Sequence, residues 1–274
     1  MTGTSVLALR LAGPLQSWGA SSRFTRRTTE SAPTKSGVVG LLAAACGIEH
    51  DDDVRLAPLA ALRFGVRIDQ PGTRIRDFHT AHHGVTDAAM PLSERFYLAD
   101  AVFVAAVEGD HGLLTDVHEA LRAPAYPPYL GRRSCPPAEP VDLGLYEDAR
   151  LEDTLANVPW QAAAWYRRRH RTTAPQTLTV LRDPAADESA GEADVLRDQP
   201  LSFDPAHRRH ALRTVVTVAV PTPVPAGSHD RTRDAHDPFE ALEAMEALEA
   251  VEALEGPEDP DTADTLDVLK DESA

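Results

Sequence analysis

Hydrophobic and polar positions alternate over residues 5–11, with Leu7, Leu9 and Leu11 on one face, which predicts a half-buried strand. The period then changes. Over 36–46, Val38, Leu41, Leu42 and Ala45 share a helical face, with Ser36 as the expected N-cap and Gly47 as the stop. Alternation returns at 62–68, where Leu62, Phe64, Val66 and Ile68 point inward and Arg63, Gly65 and Arg67 outward. Phe96, Tyr97, Val102, Phe103, Val104 and Val107 predict one long strand over 96–107. A second helix is expected at 113–122, with Leu114, Val117 and Leu121 on one face; Tyr126, Tyr129 and Leu130 predict a short closing strand.

The order strand, helix, strand, strand, helix, strand is that of an α+β, ferredoxin-like (RNA-recognition-motif-like) domain, here residues 1–135. Residues 69–95, between the second and third strands, are too many for a hairpin turn. They are read as an inserted β-arm near 70–95. From Pro136 the character changes. Short β-like pieces at 177–181 and 213–220, separated by an acidic stretch at 183–200 read as a loop, predict a small β-rich domain over 136–228.

Residues 229–274 form an acidic low-complexity tail in which Glu240, Glu243, Glu246, Glu249 and Glu252 recur every third position. A three-residue period drifts around a 3.6-residue helix, and the glutamates repel at i,i+3, so a solvated appendage is expected rather than a partner-docking or nucleic-acid-mimicking tail. The tail also changes the meaning of the net charge of −16. It carries 16 acidic and 3 basic side chains, whereas residues 1–182 carry 20 of each. A neutral body can still present a basic groove. Two cysteines, Cys46 and Cys135, have no metal spacing, no run of eighteen apolar residues occurs, and no signal-peptide pattern precedes the first strand. The expected setting is a reducing cytoplasm.

Candidate chemistry begins near the amino end. Arg23, Arg26 and Arg27, with several hydroxyls, lead through Lys35 and Ser36 into a predicted helix N-terminus, a place that favours anions and phosphate in particular. Thr34-Lys35-Ser36-Gly37 lacks the glycine of a nucleotide-binding loop, so ATP or GTP is excluded. Gly37-Val38-Val39-Gly40 lies within the helix and is read as packing. His79, His82 and His83 lack a fourth ligand and are read as surface or RNA-contacting rings, with no metal and no cofactor. Trp160, Trp165 and Tyr166 precede Arg167-Arg168-Arg169-His170-Arg171, a pairing of rings and cations that suits RNA or an RNA-bound subunit, or simply a solvated loop. Arg132 and Arg133 follow the expected closing strand.

Leu11-Ala12-Gly13-Pro14-Leu15-Gln16-Ser17-Trp18-Gly19, Arg23-Phe24, Arg26-Arg27-Thr28 and Pro33 through Ala43 resemble the CasD family, the type I-E branch of the fifth Cas family of CRISPR-associated proteins. Arg76 through Thr80, Arg95 through Phe103 and Tyr129 through Pro136 extend the resemblance over residues 5–136. The resemblance implies a non-catalytic RNA-binding subunit of the Cascade ribonucleoprotein, with a ferredoxin-like domain and a thumb. Such subunits grip the 5′ handle of the guide RNA (crRNA), cap the CasC backbone filament, contact the large subunit CasA, and meet target DNA through the assembled complex. On that basis Arg23, Arg26, Arg27 and Lys35 would neutralise handle phosphates, and Gln16, Ser17 and Ser36 would donate to sugar or phosphate oxygens. Trp18 would stack on a base or wall the pocket, unless it is an ordinary core tryptophan; the arm with Arg74, Arg76 and His79 would wedge against the guide and displace one base, and Arg132 and Arg133 would close from the other side. Two rivals remain: a metal-independent endoribonuclease acting on precursor RNA, as in a sister CRISPR type, and a generic RNA-recognition module.

Overall fold

The structure is a computed structural model, and it describes residues 3–19, 26–170, 177–186, 188 and 193–223. The tail at 229–274, together with Arg23 and Arg171, lies outside the described residues.

Sixteen elements follow one another: β1 (Thr4–Ala12), β2 (Leu15–Gln16), β3 (Arg26–Arg27), α1 (Lys35–Ala45), α2 (Asp53–Ala61), β4 (Arg63–Gln70), β5 (Thr73–His79), β6 (Ser93–Ala99), β7 (Val102–Asp110), α3 (His111–Arg122), β8 (Asp142–Glu147), α4 (Leu151–Asn157), α5 (Ala164–Arg169), β9 (Thr177–Arg182), β10 (Ala193–Ser202) and β11 (Arg209–Pro221). The described residues form an α+β arrangement with two sheets.

The larger sheet runs β10-β11-β9-β4-β7-β1-β8. β1 lies between β7 and β8, antiparallel to both, and β4 lies between β7 and β9, again antiparallel. Leu7, Leu9 and Leu11 pack with Val38, Leu42, Leu114 and Val117 beneath α1 and α3. The opposite face of β1 is covered too: Val6 and Ala8 meet Val104, Ala106, Leu151 and Leu155 under α4. The strand expected to be half-buried is therefore buried on both faces. The same cover explains Arg67, which points outward as expected yet is fully buried. Its guanidinium donates to both Asp69 carboxylate oxygens, at 2.6 and 2.9 Å, and to the carbonyls of Leu155, Val158 and Pro159.

The long strand expected over 96–107 is broken at Asp100, where φ is +56°. β6 ends there and β7 begins, and the two join different sheets. Gly72 allows the sharp return opposite that break: its φ is +71°, and a Cβ there would sit 2.4 Å from the Ala99 carbonyl. The segment expected as an arm is a β5–β6 hairpin in continuous register from Thr73↔Ala99 to His79↔Ser93. On its other side β6 pairs with β2 and then with β3.

Three boundaries differ from the sequence reading. The strand beside β1 at the sheet edge is β8, at Asp142–Glu147; residues 126–130, where a closing strand was expected, form no strand. The 183–200 stretch contains the first part of β10, whose alternating apolar residues are diluted by Asp194, Arg197 and Asp198. β8 pairs β1 and β9 pairs β4, so the chain after residue 136 extends the first sheet instead of building its own, and residues 1–227 form one compact unit. α2, capped by Asp52, is short and carries Pro58 within its span, a residue that argues against a helix in the sequence.

Candidate nucleic-acid interface

Gln16, Ser17 and Trp18 form a framework. The Gln16 amide donates to the carbonyls of Leu11 at 3.0 Å and Ala101 at 2.7 Å, and its oxygen accepts from the Trp18 indole at 3.0 Å. Trp18 is fully buried, with its ring under Gly37 of α1. The Ser17 hydroxyl donates to the Phe96 carbonyl at 3.1 Å, and its backbone N–H donates to the Leu130 carbonyl at 3.0 Å. With every polar atom of Gln16 engaged, this segment fastens β1, β6 and the 130–136 loop together. Gln16, Ser17 and Trp18 are thus buried framework residues, and Trp18 borders the cleft that runs along α1.

The N-terminus of α1 differs similarly. Thr34, not Ser36, is the N-cap, accepting from the Gly37 N–H. The Lys35 N–H donates to Asp198 at 2.8 Å, so the helix end takes a carboxylate of its own chain where a phosphate was expected. The Lys35 ammonium is buried 3.3 Å from Asp183. Burial pushes its pKa down, and Asp183 opposes that shift. Arg213 completes a charge quartet. It forms a fork on Asp198, at 2.8 and 2.7 Å, and reaches Asp183 at 2.6 Å. Asp183 also accepts from the Phe64 backbone N–H at 2.9 Å. The Ser36 hydroxyl lies 3.4 Å from that of Thr34.

The exposed cations gather elsewhere. β3 runs parallel to β6 and sets Arg27 beside Arg95. From the 130–136 loop, Arg132 donates to the Arg27 carbonyl at 3.0 Å and places its guanidinium 4.7 Å above the Tyr97 ring. Strand alternation puts Arg95 and Tyr97 on one face of the hairpin. The Arg95 Nε and Arg132 Nη1 are buried and have no hydrogen-bond partner among the described residues. On the other face Arg74 lies 4.7 Å from the Phe96 ring, and Arg76 lies 4.7 Å from Phe78 and 3.6 Å from Glu94. His79 pairs with Asp77 at 2.9 Å. Arg133 is exposed at the rim of a cleft along α1. Of Arg26 only the backbone is described, paired with Glu94. Arg95 is the member that the sequence did not single out. Its signal is its place two residues before Tyr97 on a strand of alternating polar and aromatic residues.

Gly131 holds this arrangement. Its φ is +84°, and a Cβ there would lie 1.8 Å from the Ser17 carbonyl oxygen, so the arginine loop lies directly on the Gln16–Trp18 framework. The second basic run falls on the short helix α5, where Trp165 is exposed and Tyr166 makes an edge contact with it at 5.7 Å. Of the remaining histidines of the arm, His82 accompanies Asp87 at 3.3 Å, and the His83 ring accepts from the Val85 and Thr86 N–H groups. Among the described residues no three His, Cys, Asp or Glu side chains are grouped to hold a metal. No helix of the described residues is long and apolar enough to cross a membrane.

An α+β body bearing a basic hairpin with rings beneath the guanidinium groups has a surface suited to anions. The comparisons make this narrower. The model of the CRISPR-associated protein family Cas_Cas5 matches residues 6–216, and the chain belongs to this family. It is 36% identical over 171 residues to the CRISPR system Cascade subunit CasD of Escherichia coli (strain K12), covering 56% of this chain and 76% of that one. A solved structure described as a Cas protein matches with a TM-score of 0.63 at 38% identity, over 81% of this chain and 98% of the other. A chain of a CRISPR RNA-guided surveillance complex matches with a TM-score of 0.62 at 31% identity, over 84% and 96%.

Proposed function

We propose that this chain is a non-catalytic RNA-binding subunit of a type I-E Cascade complex, and that the Arg27–Arg95–Arg132 face holds phosphates of the guide RNA. The observation that carries the reading is the gathering of Arg27, Arg95 and Arg132 on one face of the hairpin, none of them with an ion-pair partner among the described residues. Phosphate oxygens are the acceptors that match a guanidinium fork. Family membership and the similarity to a Cascade subunit supply the identity of the polyanion.

In this reading the unit β1–α1–β4–β7–α3–β8, with strand order β4-β7-β1-β8, is a ferredoxin-like domain, and the β5–β6 hairpin is its thumb. The thumb carries Arg74, Arg76 and His79 to the RNA, and the 5′ handle is gripped where the thumb meets the Arg132 loop. The subunit caps a CasC filament, contacts CasA, works in the cytoplasm, and meets target DNA through the assembled complex. Arg26 and Arg23 flank the same face in sequence and join it. Lys35, Gln16, Ser17 and Trp18 support the face from below.

Co-expression with the other Cascade subunits tests this. The Arg27→Ala, Arg95→Ala, Arg132→Ala triple variant is expected to lose most of the co-purifying guide RNA, as measured by RNA recovered per complex. Normal recovery contradicts the reading. Cleavage of repeat RNA by the purified chain in the presence of chelator contradicts the non-catalytic part.

A further inference from the structure

The short helix α5 lies on the opposite side of the large sheet from the arginine loop. α1 and the 130–136 loop meet on one side, where the Trp18 ring lies against Gly37 and Gly131. α5 covers the other: Tyr166 packs with Trp160, Ala162, Leu178 and Val220. Leu178, under α5, and Val180, under α4, share one face of β9 by strand alternation. We propose that the solvent face of α5, with Trp165, Arg168 and Arg169, is a second nucleic-acid contact that takes single-stranded DNA of the target. The inference rests on the RNA-binding reading above and adds a surface for a strand other than the guide.

Six residues do not hold a helix by themselves, so α5 is fixed by tertiary bonds. The Trp160 indole donates to the Asp69 carbonyl at 3.0 Å, the Gln161 N–H to the Asp69 carboxylate at 2.6 Å, and the Ala163 N–H to the Gln70 side-chain oxygen at 3.1 Å. These bonds moor α5 to the end of β4, at the root of the β5–β6 hairpin. The basic run is therefore a built surface, not the solvated loop that its composition also allows. Helical spacing sorts its two faces. Tyr166 turns inward, in edge contact with Trp160 at 6.3 Å, and its ring lies 4.3 Å from that of His170, one turn on. Trp165, Arg168 and Arg169, at i, i+3 and i+4, are all exposed. The edge contact with Tyr166 at 5.7 Å steadies the Trp165 ring and still leaves the residue 41% exposed. α5 contains no carboxylate, and Arg169 has no ion-pair partner among the described residues. A ring beside guanidinium groups holds a single strand without reading its sequence, since the ring stacks on a base and the cations meet phosphates. A strand held by Arg132 lies on the α1 side of the sheet, and a strand on α5 lies on the α4 side. With the guide on the first, the second is left for the target.

Tryptophan fluorescence gives a direct reading, because Trp18 and Trp160 are buried and Trp165 is the exposed one of the three. The full chain would first be saturated with single-stranded RNA of the CRISPR repeat sequence and then titrated with poly(dT). The DNA is expected to bind without displacing the RNA and to quench the emission. Trp165→Ala is expected to abolish the quench and weaken DNA binding about tenfold, as loss of one stacked base should. Arg169→Ala is expected to make the slope of log K against log salt shallower by about 0.7 for DNA. Both side chains are exposed, so melting temperature and RNA affinity are expected to stay unchanged. The Arg27→Ala, Arg132→Ala variant is expected to show the converse, with RNA lost and DNA binding kept. If Trp165→Ala and Arg169→Ala leave DNA affinity unchanged while the Arg27→Ala, Arg132→Ala variant loses RNA, the α5 contact is overturned and the RNA-binding reading stands. If the α5 variants lose RNA and keep DNA, the patch is a further part of the guide site and the inference is overturned. If they keep both nucleic acids but release a protein subunit from the assembled complex, α5 is a protein seat and the inference is again overturned. If the unaltered chain and its complex bind neither nucleic acid, both readings fall.

Discussion

Glu188 is a partly exposed carboxylate, yet the fork of Arg182, with bonds of 2.6 and 3.0 Å, and the Ala185 N–H hold its pKa down to about 2. A carboxyl group depressed on folding stabilises above its unfolded pKa, near 4.3, and that contribution is lost as pH falls toward about 2. The melting temperature of the unaltered protein is therefore expected to exceed that of Glu188→Gln by a constant margin above about pH 5, with the gap closing as pH falls through that window. A margin that grows on acidification contradicts the assignment. Lys35 shows the opposite use of a charge. It was expected to meet phosphate because it precedes a helix in a basic segment, but its partner Asp183 lies 148 residues later. No local pattern reveals such a partner. Arg27, Arg74, Arg76 and Arg133 are exposed and Arg132 is half-buried, because they sit on an edge strand, an exposed hairpin and a loop.

At the scale of elements, the Lys35, Asp183, Asp198 and Arg213 quartet ties α1, β4, β10 and β11 together. Removing one cation from a buried neutral cluster leaves a carboxylate uncompensated. Arg213→Ala is expected to cost about 3–5 kcal/mol in urea unfolding. A loss below about 1 kcal/mol would mean that the network contributes little. β1, β4 and α3 are legible in the sequence through their alternating or one-faced apolar patterns, and α1 through its high apolar content; all four meet one continuous core. The closing strand is not, since Asp142–Glu147, with Leu143, Leu145 and Tyr146, carries no more apolar signal than Tyr126, Tyr129 and Leu130 in the segment expected there. The break at Asp100 is hidden because hydrophobicity continues across it. Gly131 is visible in the sequence only as a turn; the structure makes it the point where loop and framework touch. Gly131→Ala is expected to lower RNA affinity at least severalfold while removing no charge, which a filter-binding titration would show. Unchanged affinity would mean that the loop tolerates displacement.

At the scale of the whole molecule, charge is arranged rather than abundant. The chain carries −16, of which −13 belongs to residues 229–274. The described body sorts its arginines into two sets. Arg63, Arg67, Arg182 and Arg213 are bound to carboxylates within the fold, and Arg27, Arg95, Arg132, Arg133 and Arg208 have no ion-pair partner among the described residues. Composition cannot distinguish the sets, since both are arginines in strands and loops; only tertiary pairing does so. The proposed function belongs to the second set together with Arg74 and Arg76 of the β5–β6 hairpin. The most direct measurement is the dependence of the RNA dissociation constant on salt, for the unaltered chain, for Arg27→Ala with Arg132→Ala, and for Lys35→Met. Each phosphate contact to a single strand contributes about 0.7 to the slope of log K against log salt. The account predicts a slope shallower by about 1.4 for the arginine pair and an unchanged slope for Lys35→Met. An unchanged slope for the arginine pair, or a shallower one for Lys35→Met, would contradict it.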